Sequence, residues 1–111
     1  MEHERARQLL ADERARIESA IAALSEADEQ AAGEEGEPGE LGSEELLENE
    51  LEIGLVEDLA EQLAALGRAE ARLAAGTYGR SIESGDPIPD ARLEARPTAE
   101  RTVEEQAALE G

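Results

Sequence analysis

Four carboxylates, Glu34, Glu35, Glu37 and Glu40, fall between Gly33 and Gly42, a stretch that also holds four glycines and Pro38. Clustered carboxylate oxygens interact with hard cations such as Mg²⁺, although acidic side chains in a Gly/Pro loop are ordinarily just solvated. Arg68 and Arg72 stand four residues apart, with Ala64, Ala65, Ala69, Ala71, Ala75 and Gly76 as their helical neighbours. No carboxylate can pair with them locally, so they are expected to reach across to Glu4 or Asp12 on another helix. His3 is the single histidine and is far in sequence from the hydroxyls of Ser81 and Ser84. Nucleophile–base chemistry therefore has no candidate pair, and an enzyme is not expected.

Charge and composition narrow the function further. The 111 residues carry 29 acidic side chains against 10 basic ones, all arginine, for a formal net charge of −19. Direct, unassisted nucleic-acid binding is not expected on that balance. The absence of cysteine excludes disulfides, thiolate metal sites and cysteine nucleophiles. No apolar run is long enough to cross a bilayer, and Met1-Glu2-His3-Glu4-Arg5 is not the start of a signal peptide, so a cytoplasmic, soluble protein is expected. Aromatic residues make up 1% of the chain, which suits long helices better than a broad core.

The elements that must position these groups follow from periodicity. Glu2 to Ala32 is free of Gly and Pro, and Leu10, Ile17 and Leu24 recur every seven residues, which predicts a helix with one apolar stripe. Gly33–Gly42 cannot continue it and predicts a chain reversal. Ser43 is placed to cap a second helix, with Glu44 and Glu45 against its positive end. Its seam runs through Leu47, Leu51 and Leu55, then Val56, Leu59, Leu63, Leu66 and Leu73. Two helices of about 45 Å each then fold back as an antiparallel hairpin over residues 1–75, pairing Leu24 near Leu51 and Leu10 near Leu66. Gly76-Thr77-Tyr78-Gly79 ends the second helix, and residues 76–111 read as a separate small lobe. In it Ser84-Gly85-Asp86-Pro87 marks a turn. Thr98 is expected to cap a closing helix running to about Glu110, with Val103 and Ala107 on its inner face. The expected lobe core is Tyr78, Ile82, Ile88, Leu93 and Val103.

Gly76-Thr77-Tyr78-Gly79, Gly85, Ile88 and Arg92-Leu93-Glu94-Ala95-Arg96-Pro97-Thr98-Ala99 resemble, over about 25 residues, the signature of the DksA/TraR (DnaK-suppressor) zinc-finger family. The family pattern is Gly-x-Tyr/Phe-Gly-x-Cys-x-x-Cys-Gly, then Arg-Leu-x-Ala-x-Pro-x-Ala-x-x-Cys-x-x-Cys, after a long helical hairpin. The four cysteine places are here Ser81, Ser84, Thr102 and Glu105, with the spacing kept and every sulfur gone. The resemblance therefore implies a mostly α fold: a long antiparallel, coiled-coil hairpin with a small zinc-finger-like lobe that lacks zinc. Hydroxyls and one carboxylate are poor tetrahedral zinc ligands. Hydrogen bonds among Ser81, Ser84 and Thr102, with Tyr78 beneath, are expected instead, and no cofactor is.

The resemblance also implies a function, because family members bind RNA polymerase directly and insert the hairpin into its secondary channel toward the active-site magnesium, without DNA contacts. Glu37 and Glu40 resemble the family's tip pair of acidic residues three apart, with Gly42 approximating the small residue that follows; both are Glu where the best-known members carry Asp. Some members respond to the alarmone ppGpp through basic side chains. Arg68 and Arg72 are the only basic candidates on this second helix, which leaves a ppGpp response open. The expectation is a polymerase-binding transcription regulator; the alternative is a zinc-free structural or adaptor protein of the same shape with another partner.

Overall fold

The structure, a computed structural model, describes residues 1–33 and 43–111, with side chains described for 1–26 and 50–111. The expected reversal, including Glu34, Glu35, Glu37, Glu40 and Gly42, lies outside the described residues, as do the side chains of Ser43, Glu44, Glu45 and Leu47. Helix α1 spans His3–Gly33 and α2 spans Ser43–Ala75, and they form an antiparallel helical hairpin. Two short helices follow, α3 (Asp90–Ala95) and α4 (Val103–Glu110). Compactness divides the chain into Met1–Arg14 with Ala64–Gly111, and Ala15–Leu63.

In the first unit, Ala6, Leu9 and Leu10 of α1 and Leu66 and Ala69 of α2 are buried. Their three- and four-residue spacing is that of one apolar helix stripe. Each buried Leu contributes about 1.5–3 kcal/mol. At the edge of the seam, Arg14 of α1 grips Glu70 of α2 through its Nε and Nη2, at 3.2 and 2.5 Å. α2 stops because Gly76 takes a positive φ of 81°. Its N–H then bonds Leu73 O at 3.2 Å while Thr77 N–H bonds Arg72 O at 2.9 Å. This paired closure satisfies the last carbonyls of the helix and turns the chain into the lobe.

The lobe core is Ile88, Leu93 and Ala99, with Tyr78 packed against it. It differs from the expected set, since Ile82 and Val103 are about half exposed and Ala99 is buried in their place. The cause is the closing helix. Thr98 does not cap it; Thr102 does, four residues later, and with that start the helix buries none of its residues. Val103 and Ala107 accordingly face outward. Helix α3 was not foreseen. It places Leu93 in the core between two prolines, Pro89 supplying the carbonyl that receives the N–H groups of Arg92 and Leu93.

In the second unit, Ile17 is fully buried, Leu24 and Leu59 are partly buried, and Arg16 donates to Gln62 Oε1 at 2.7 Å. Leu51 does not join a seam with Leu24, because it is 62% exposed. Heptad spacing identifies apolar positions but does not say which of them a partner helix covers.

Candidate functional site: the carboxylate knot of the lobe

A tight knuckle positions the first two of the four singled-out side chains. Ser81 N–H bonds Asp86 O at 2.8 Å and Gly85 N–H bonds Ser81 O at 2.9 Å. Arg80 and Pro87 form an isolated antiparallel bridge. Gly85 has φ of +77°, a backbone position that side-chain-bearing residues rarely adopt. The buried Ser81 hydroxyl accepts the N–H groups of Glu83 at 3.1 Å and Ser84 at 3.3 Å. Ser84 Oγ in turn accepts Asp86 N–H at 3.2 Å. The knuckle is tied to the following turn by Ile82 N–H to Glu100 O, 2.9 Å.

The other two positions sit at the start of α4 in a reciprocal cap. Thr102 Oγ1 accepts Glu105 N–H at 3.2 Å, and Glu105 Oε1 accepts Thr102 N–H at 2.9 Å. Ser/Thr followed three residues later by Glu is a capping-box pattern visible in the sequence. Both residues also stand at cysteine places, and the cap falls at Thr102 where Thr98 was expected. The neighbouring Ser81 and Ser84 hydroxyls also favour the charged form of the Glu105 carboxylate. All four positions thus converge. They do so around a carboxylate, where direct bonds among the three hydroxyls were expected.

The electrostatic result is specific. Glu105 is held at a pKa of about 2, below its ordinary 4.5, first by the Thr102 N–H and then by the Ser81 hydroxyl, with Ser84 and the Thr102 hydroxyl adding to both. Each of these bonds favours the charged form. Zinc does not fit this donor set: hydroxyls are poor zinc ligands, the oxygens of Ser81, Ser84 and Thr102 already accept backbone N–H groups, and the carboxylate is engaged in the cap. Among the described residues no group of three or more His, Cys, Asp or Glu could hold a metal ion.

Because the folded pKa is depressed, the stabilisation from Glu105 is fully present above about pH 4.5 and is lost as pH falls through about 2. Glu105→Ala is expected to lower the melting temperature at pH 7 by about 5–10 °C, and Glu105→Gln by less, since an acceptor remains. Melting curves from pH 7 to pH 2 should show the gap between wild type and Glu105→Gln closing only below about pH 4.5. A constant gap would show that the charge plays no part.

Around this knot, arginines tie the lobe to both long helices. Arg5 of α1 grips Glu94 at 2.8 and 2.5 Å. Arg68 of α2 donates to Glu100 at 2.9 Å, with Arg72 3.9 Å from the same oxygen. Arg68 and Arg72 therefore point into the lobe and not across to Glu4 or Asp12. The short Pro97–Arg101 turn brings Glu100 within reach of both arginines. Tyr78 OH donates to Pro97 O at 2.7 Å, which holds the same turn from inside.

Comparison with known proteins places this arrangement. Residues 76–111 match the model of the prokaryotic DksA/TraR C4-type zinc finger. The RNA polymerase-binding transcription factor DksA of Caulobacter vibrioides, in strains NA1000 / CB15N and CB 15, is 48% identical over 44 residues. That match spans 40% of this chain and 31% of the relative's length. The solved structure of transcription factor DksA2 from Pseudomonas aeruginosa superposes with a TM-score of 0.64 at 25% identity, covering 97% of this chain and 79% of that one.

Proposed function

We propose that this protein is a transcription regulator that binds RNA polymerase directly, because residues 76–111 match the DksA/TraR zinc-finger model while lacking its four cysteines. The hairpin enters the secondary channel with Glu37 and Glu40 toward the active site, and the lobe stays at the channel mouth. The observation that carries the reading is the superposition on DksA2 over nearly the whole chain, hairpin included. A match confined to the lobe would support only a shared finger.

The proposal fits the charge. A body of net charge −19 has no use for the DNA backbone, and regulation from a channel needs none. Carboxylates delivered beside a catalytic Mg²⁺ can alter its coordination or the order of neighbouring polymerase elements. The protein then acts in the cytoplasm and performs no catalysis of its own. Affinity capture on purified core RNA polymerase tests the reading. Saturable binding of one chain per polymerase is expected, and absence of binding would overturn it.

A further inference from the structure

Within the second unit, four large aliphatic side chains lie exposed in six residues of α2: Leu51 at 62%, Ile53 at 50%, Leu55 at 54% and Val56 at 52%. Scattered exposed aliphatics are ordinary; a cluster of this density marks an interaction surface. Leu51 and Leu55 stack one turn apart on one flank of the helix, and Ile53 and Val56 lie together on the other. Gly54, between the two leucines, has open space where a Cβ would stand.

From this arrangement we infer that residues 51–56 dock into a concave, basic protein wall that bears aliphatic side chains. A flat surface touches one flank of a helix, whereas aliphatics on both flanks are covered together only by a wall that curves around it. The sign of the wall follows from the unit's own charge. Residues 15–63 hold sixteen acidic residues and a single basic one, Arg16. A second copy of this chain, or an anionic lipid surface, is repelled by that field, and a basic protein surface is attracted. The inference deepens the proposed function by naming how the hairpin is held in the channel, and it rests on that reading.

The test measures binding of the full chain to core RNA polymerase over a range of salt concentrations. Leu51→Gln/Leu55→Gln and Ile53→Gln/Val56→Gln are each expected to weaken binding at least about tenfold. Their melting curves should be unchanged, because the side chains are already exposed. Leu51→Met/Leu55→Met should restore wild-type affinity. Binding should also weaken as salt rises. Equal affinity of wild type and both Gln variants would overturn the docking surface while leaving polymerase binding intact. Salt-independent binding would overturn the basic wall. Self-association of the wild type that the Gln variants lose would show that a second copy covers the surface. No binding by wild type would overturn the proposed function itself, and the docking surface with it.

Discussion

Glu37→Ala/Glu40→Ala is expected to bind core RNA polymerase within about twofold of wild type and yet to lose most of its effect on a sensitive promoter. The substitution removes two charges from a Gly/Pro-rich stretch of sequence that contains none of the expected seam residues, so stability should change by less than about 0.5 kcal/mol. Under the proposed function, affinity would belong to the hairpin flanks and the lobe, and the carboxylates would act on the magnesium or the elements around it. Paired binding assays and in vitro transcription separate the two. A double variant that regulates as well as wild type would show that these carboxylates are merely solvated, and a variant that no longer binds would make them part of the grip.

The second large effect concerns the knot in the lobe. Ser81→Cys, Ser84→Cys, Thr102→Cys and Glu105→Cys combined should produce a chain that binds one zinc ion and melts at a chelator-sensitive temperature. Both pairs keep the two-residue separation of a tetrathiolate site, and the fold already brings all four positions together. Structural zinc in such small units supplies apparent binding energies of about 10–16 kcal/mol, far beyond any single hydrogen bond. Wild type should carry no zinc by elemental analysis and should melt identically with and without chelator. Stoichiometric zinc in wild type would refute the account of the knot. Failure of the four-cysteine variant to bind zinc would show that the convergence around Glu105 is not the geometry of a metal site.

The helices were legible because Leu10 and Ile17, and Leu66 after the Gly-rich stretch, repeat at helical spacing, and these are the residues that end up buried. The exposure of Leu51 and Leu55 was not legible. Periodicity reports that a helix has an apolar face, while coverage of that face depends on where the other helix runs. Helix α3 escaped notice because six residues between Pro89 and Pro97 show no periodicity of their own; Leu93 is buried through its contacts with Ile88 and Ala99. The four knot positions were found through spacing, yet their bonding was not. Thr102 and Glu105 stand at cysteine places, and that correspondence carries no information on the cap they form with each other or on the start of α4 that it sets. A cap at Thr98 would turn Val103 inward, whereas the cap at Thr102 leaves it exposed. Arg68 and Arg72 were recognised as needing distant partners, but the turn that offers Glu100 is a tertiary feature no local pattern encodes.

Tyr78 is the sole aromatic side chain of the protein, and it packs on the lobe core with its hydroxyl on Pro97. Near-ultraviolet absorbance and intrinsic fluorescence therefore report one place only, whereas far-ultraviolet dichroism is dominated by α1 and α2. Two optical channels that almost every protein mixes are here assigned to different parts by composition alone. Burial raises the Tyr78 phenol above its usual range, so its alkaline difference spectrum should shift back to the ordinary range when the lobe opens. Whether the lobe and the long helices come apart in one step or two can thus be read from a single unlabelled sample.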